Sequence, residues 1–405
     1  MKNMLKLVFI FLLFSISVHS NETGYTFTMK REVPHTSVKN QSATSACWAF
    51  SGLSLFESEL LRMGKKAYDL SEMYIVRETY KKKAVEYARR NGGCTFAGGG
   101  EYSDLLNVTK DVGLVPDEIY PGLPNGEEKH NHDEMDAVLK GYMEGLMKSP
   151  NITKAWFTGF NGVLDAYLGK VEPEFQYEGR NYTSKSFMGE LGINIDDYII
   201  FSSFGSRPYY KKSILDVPNH WSDTEYYNVP LDELMQIIDN ALMGGYSVAW
   251  ASKMNKGFSM KYGVAIVPEK KWKDMSDEET EKVFTNPHAE KVITQSLREK
   301  EFDHTGITGD HGMHIIGLAV DQAGNTFYKV KNSWGETGKY NGYIYASRSF
   351  VMLNTTSCMI NKNAIPASIA QKMGIIQDRP LTMNQSTISE SKSAPEVTQS
   401  VVSGN

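Results

Sequence analysis

Cys47 lies in the run "NQSATSACWAF" (Asn40–Phe50), between Ala46 and Trp48 and six residues after Gln41. A free cysteine is often core filler, so its neighbours and the rest of the chain must decide its use. A cysteine nucleophile works as the thiolate, and the ordinary thiol pKa leaves little thiolate at neutral pH. A helix N-terminus raises that share by presenting a positive dipole end and free amides. An imidazole then takes the proton and a third group orients the imidazole; acyl transfer also needs donors for a developing oxyanion. Gln41 precedes the Cys47 segment in a loop, from which its amide can return to the Cys47 N–H. Far down the chain, "DHGMHIIGLAVDQAGNTFYKVKNSWGETGKYNGY" supplies His311, His314 and Asn332, with Ser333, Trp334 and Gly335 directly after. Nucleophile, base, orienting amide and oxyanion donor are all present as residue types.

The elements that must position them can be read from periodicity. Apolar residues from Trp48 to Leu61 recur at helical spacing and Gly64 stops the pattern. This predicts a helix from Cys47 to Met63 with the thiol at its start. "DLSEMYIVRETYKKKAVEYARR" predicts a second helix, "GGGEYSDLLNVTKDVGLV" a glycine turn and short helix, and "DELMQIIDNALMGG" an amphipathic one. "YSVAWAS", "MHIIGLAV", "TFYKVKNSW" and "GYIYAS" read as strands. Helices first and antiparallel strands last predict an α+β fold. Strand alternation puts His311 and His314 on opposite faces, so only one of them can meet Cys47.

Composition sets the outer limits. The chain has 405 residues, 41% of them hydrophobic and 22% charged, in the ordinary globular range. A formal net charge of -5 and the lack of a long basic block argue against nucleic acid as a partner. The start, "MKNMLKLVFIFLLFSISVHS", predicts a signal peptide over residues 1–20 and export to the periplasm or beyond. Its apolar run is too short to cross a bilayer, and no later segment is long and apolar enough to do so. Residues 377–405, rich in Ser, Thr, Gln and Pro, read as a disordered tail. Cys47, Cys94 and Cys358 do not make a disulfide scaffold, although export would allow Cys94 to join Cys358. His130 and His132 lack a third ligand at a convincing spacing and read as solvated; no metal or cofactor is expected.

In this order, "NQ…CWAFS", "DHGM…G" and "VKNSWG…NGY" resemble the papain superfamily of cysteine peptidases. The resemblance implies a papain-like fold, with a helical half carrying Cys47 and a β-rich half carrying His311 and Asn332 around an active-site cleft. It implies Cys47 as nucleophile, Gln41 as oxyanion donor, Asn332 orienting the histidine and Trp334 covering that hydrogen bond. In the family a small residue follows the catalytic histidine and another stands six places on. Gly312 and Gly317 fit His311, whereas Ile315 follows His314, which leaves His314 a structural role. "GGGEYSDLL" resembles the family's glycine segment whose backbone pairs with substrate, at Gly99 and Gly100; a plain glycine turn is the alternative. Thr44-Ser45-Ala46 stands where the family has a glycine before its cysteine dipeptide.

His311 follows Cys47 by 264 positions (311 − 47), against about 130–150 in secreted papain-like enzymes. Cleavage after Ser20 would leave 26 residues before Cys47 (46 − 20), too few for an inhibitory propeptide. Both features resemble the bleomycin hydrolase or aminopeptidase C branch, with a helical insertion at about 123–245 inside a peptidase domain spanning 21–376. That resemblance implies a cysteine aminopeptidase acting on peptides, and a homo-oligomer, a hexamer in that branch. Members of the branch place their terminal carboxylate in the cleft to hold a substrate's free amine, but this chain runs on to Asn405. A trimmed tail, an internal acid such as Glu101, or the open cleft of an endopeptidase would each answer the difference. A binding protein that keeps the fold without turnover is the further alternative.

Overall fold

The computed structural model describes residues 24–378, apart from 216, 218, 219 and 306–310. The expected signal peptide and all of the expected tail beyond Asp378 lie outside the described residues. The chain opens with β1 (Phe27–Glu32), α1 (Cys47–Arg62), α2 (Glu72–Arg89) and α3 (Tyr102–Val112). Helices α4 (Asp133–Met147) and α5 (Ala155–Leu168), strands β2 (Phe175–Tyr177) and β3 (Arg180–Tyr182), and α6 (Ser184–Leu191) follow. Strands β4 (Tyr198–Ser202), β5 (Lys212–Ile214) and β6 (Glu225–Asn228) lead to α7 (Leu231–Met243). Then come β7 (Val248–Ser252), β8 (Phe258–Ser259), β9 (Val264–Ala265), α8 (Asp277–Thr285) and α9 (Gln295–Thr305). The chain finishes with β10 (His311–Asp321), β11 (Thr326–Lys331), β12 (Tyr343–Ser347), α10 (Arg348–Asn354), β13 (Thr355–Asn361) and α11 (Ala367–Met373).

The helix expected at Cys47 is α1, and Gly64 beyond its end has the positive φ (77°) that glycine adopts without strain. The Ser71 hydroxyl accepts from the Tyr74 amide at 3.0 Å, which caps the start of α2. All four expected strands form, as β7, β10, β11 and β12. One main sheet runs in the order β5-β6-β4-β13-β7-β10-β11-β12-β9-β8. The long strand β10 pairs with β7 through residues 311–315 and, further along the same edge, with β1 through residues 317–321. On its other side it pairs with β11.

Both faces of this sheet are covered. In β7, Ala249 and Ala251 face the helical core of α1 to α6, whereas Val248 and Trp250 face a second core with α7, α10 and α11. Strands buried on both faces read as continuous apolar runs rather than alternating ones. The stretch 123–245 supplies α4 to α7, and also three strands, β4 to β6, that extend the main sheet from β13. Two pairings are parallel, β9 with β12 and β4 with β6, where the sequence suggests only antiparallel neighbours. Cys47, Cys94 and Cys358 are free thiols, so the Cys94–Cys358 link considered above does not form; Cys358 is buried in β13.

Candidate active site

The first turn of α1 lies against the start of β10, where Gly312 meets Cys47 and Trp48. Its N-cap, Ala46, has no side chain able to accept from the first amides, and no acidic residue stands in the first turn. Those amides are left for the thiol: the N–H groups of Cys47 and Trp48 face Sγ, as does the N–H of Gly312. Cys47 keeps some exposed surface, yet dense packing around its sulfur pushes the thiol pKa up to about 11. The three amides oppose that rise, and the nearby Glu101 carboxylate adds to it.

His311 is the first residue of β10, and its Nε2 donates to Asn332 Oδ1 at 2.6 Å. Oδ1 also accepts from the Ser333 amide at 2.8 Å, and both Asn332 and His311 are buried. With the proton held on Nε2, Nδ1 is the nitrogen that can exchange a proton elsewhere. The Trp334 ring lies 4.6 Å from the imidazole centroid and limits water at that bond. His314 is on the opposite face, as alternation requires. It lies with Gly312 on the α1 side, and its Nδ1 bonds Ser54 Oγ at 2.9 Å. Burial first, then the nearby Lys331 and His35, push its pKa well below 6.5.

Gly312 is small for a reason visible in the packing. A Cβ there would stand 2.8 Å from Ser51 Oγ and 3.1 Å from the Cys47 carbonyl oxygen. That close approach brings the start of β10 against the first turn of α1, and hence His311 and Cys47 to one place.

The Gln41 loop is zipped to the Asn332 segment. The Gln41 amide donates to Ser333 O at 2.8 Å and the Gly335 amide to Lys39 O at 3.0 Å. The Gln41 side chain accepts from Ser333 Oγ at 2.6 Å and gives one Nε2 hydrogen to Thr44 O at 2.8 Å. Its second hydrogen remains for a ligand. His130 and His132 hold the next turn: Ala43 N donates to His130 O, and His132 N to Ala43 O. The His132 side chain is buried rather than solvated, which lowers its pKa to about 4, and His130 is half-buried. Among the described residues no group of three or more His, Cys, Asp or Glu could hold a metal ion.

Gln41, Cys47, Gly99, Gly100, His311 and Trp334 all line one cavity of about 360 Å3. Asn332 stands behind His311 rather than on the wall. Gly100 lies over the Trp48 indole, where a Cβ would come within 2.7 Å of the ring. Lys83, buried and lowered to about 8 by desolvation, supports this glycine segment through the carbonyls of Ala97 (2.7 Å) and Gly99. Glu101 also lines the cavity and is only 3% exposed. Burial, with Asp104 beside it, raises its carboxyl pKa to about 8. Its position after the glycines makes it a wall residue from sequence, but nothing local in sequence signals the depth of its burial.

The Peptidase C1-like family model matches residues 171–384, and the model of the papain family cysteine proteases matches residues 26–164. Aminopeptidase G of Lactobacillus delbrueckii subsp. lactis is 22% identical over 371 residues, covering 80% of each chain. Bleomycin hydrolase of Mus musculus is 21% identical over 406 residues, covering 85% of this chain and 84% of that one. Among solved structures, pepw from Lactobacillus rhamnosis HN001 aligns with a TM-score of 0.67 at 18% identity. The alignment covers 86% of this chain and 84% of that one, a likeness of fold.

Proposed function

Because the chain belongs to the Peptidase C1-like family, we propose that it is a thiol-dependent aminopeptidase with Cys47 as nucleophile and His311 as acid and base. Relatives named aminopeptidase G and aminopeptidase C support removal of N-terminal residues over internal cleavage. The observation that carries the reading is the convergence of Cys47, His311 and Gln41 on one cavity, with Asn332 bonded behind the imidazole.

In this mechanism His311 takes the Cys47 proton and the thiolate attacks the carbonyl carbon of the substrate's first residue. The carbonyl oxygen gains the negative charge and is met by the Cys47 N–H and the second Nε2 hydrogen of Gln41. His311 then gives its proton to the departing amine, leaving an acyl group on Sγ. Water, deprotonated by His311, attacks that thioester and frees the N-terminal residue. Asn332 holds the imidazole plane throughout, and backbone groups of Gly99 and Gly100 pair with the peptide. The basic and apolar composition of residues 1–20 supports export.

Cys47→Ala is the direct test. It is expected to abolish hydrolysis of an aminoacyl coumarin amide and labelling by a thiol-reactive epoxide, while leaving the fold intact. Hydrolysis at the wild-type rate would refute the assignment. Equal wild-type rates on free and N-acetylated forms of one peptide would instead refute the aminopeptidase part.

A further inference from the structure

The cavity holds one ionisable side chain that this mechanism does not use. Glu101 caps the start of α3 directly after the glycine segment, on the same cavity wall as Cys47, and is almost fully buried. Among the described residues no Lys, Arg or His forms an ion pair with it. The cation nearest in effect, Lys83, directs its Nζ at the carbonyls of Ala97 and Gly99. Asp104, its acidic neighbour, is committed elsewhere: Oδ2 accepts from the Glu101 amide at 2.9 Å and from Trp221 Nε1 at 2.9 Å. A buried carboxylate without a counter-charge is unfavourable, and it becomes favourable when a cation arrives with the ligand. An aminopeptidase substrate brings such a cation within about 2.5 Å of the carbon under attack, because only Cα separates the ammonium nitrogen from the carbonyl carbon. A group holding that ammonium must therefore lie in the cavity of the thiol itself. Glu101 does, close enough for its charge to act on Sγ.

We propose that Glu101 binds the α-ammonium of the substrate's first residue and so restricts the cavity to free N-termini. The proposal rests on the aminopeptidase reading above and names the residue that makes it one. It assigns the anchoring to a side chain of this wall. The carboxyl, kept largely protonated in the empty cavity, ionises as the ammonium binds.

The test compares kcat/KM for free and N-acetylated aminoacyl coumarin amides, using the full chain and its Glu101→Gln variant. Labelling of Cys47 by the thiol-reactive epoxide is scored in parallel. Wild-type protein is expected to favour the free amine, and Glu101→Gln to reduce that preference about 10- to 100-fold, the size of a charged hydrogen bond. Labelling should persist in the variant, which shows that the thiol site is intact. An unchanged preference in Glu101→Gln overturns the anchor alone. A wild-type protein that neither labels nor hydrolyses overturns the aminopeptidase reading and the anchor with it. Glu101→Asp keeps the cap and the charge but shortens the reach, and is expected to lose part of the preference; an unaltered ratio there also counts against the proposal, even if Glu101→Gln fails to fold.

Discussion

His311 and His314 are three positions apart on one strand, yet their surroundings assign them different work. His311→Ala removes the group that can take the Cys47 proton. Burial holds that thiol near a pKa of about 11, so little thiolate would form at neutral pH without the imidazole. The variant is expected to lose at least ~10³-fold in kcat. Its alkylation rate should be low at pH 7 and climb only as the pH approaches 11, a profile measured directly with iodoacetamide. His314→Gln should retain turnover. The folded state resists protonating His314 because of its burial, so its pKa lies below the unfolded value of 6.5. The unfolded chain therefore binds more protons as the pH falls below about 6.5, and stability drops there. Urea unfolding of His314→Gln between pH 7 and pH 5 should show a shallower fall than wild type.

At the scale of elements, the site depends on how the Gln41 loop is fastened to α1 and α2. Lys39 Nζ reaches Glu57 of α1 at 3.1 Å, Glu72 of α2 at 2.7 Å and the Leu70 carbonyl at 3.2 Å. Both carboxylates are buried. Lys39→Met would leave them without their shared cation, at a cost of about 3–5 kcal/mol in urea unfolding. The released Gln41 loop should also lower kcat in whatever protein remains folded. Nothing in the sequence around Lys39 announces this joint, because its partners are 18 and 33 residues away. What is legible follows one rule: features set by local spacing can be read, and features set by distant pairing cannot. Helix α1, its thiol at the first position and the four central strands all follow from local periodicity. Strand β13 is buried at every residue and shows no alternation to read. Strand β1 is a mostly exposed edge piece defined by its pairing with β10. Strands β4 to β6 likewise become part of the sheet only through contact with β13, more than 120 residues later. The candidate site residues are named by their types and order, which are local features, whereas the burial of Glu101 and His132 is not.

At the scale of the whole molecule, truncation separates a charge on the cavity wall from a charge near the end of the chain as the partner of a substrate amine. After α11 the backbone is held in place for a few residues more. The Ile375 amide donates to Ala370 O at 3.0 Å, and Gln377 Nε2 donates to Lys362 O and Ile365 O at 2.7 and 2.8 Å. Asp378 pairs with Lys362 at 2.8 Å, a contact that is largely exposed on the aspartate side and contributes little. A chain ending at Asp378 keeps all of these bonds, and one ending at Met373 loses them. The chain ending at Met373 should therefore unfold with about 1–3 kcal/mol less stability than the chain ending at Asp378. Selectivity is the sharper measurement. If Glu101 holds the ammonium, the chain ending at Asp378 hydrolyses free-amine and acetylated peptides in the same ratio as the full chain, since every described residue of the cavity wall is retained. If a carboxylate beyond Asp378 does the holding, the ratio collapses on truncation although the fold and the labelling of Cys47 persist. A collapse there, together with an unchanged ratio in Glu101→Gln, would move the anchor from the cavity wall to the end of the chain.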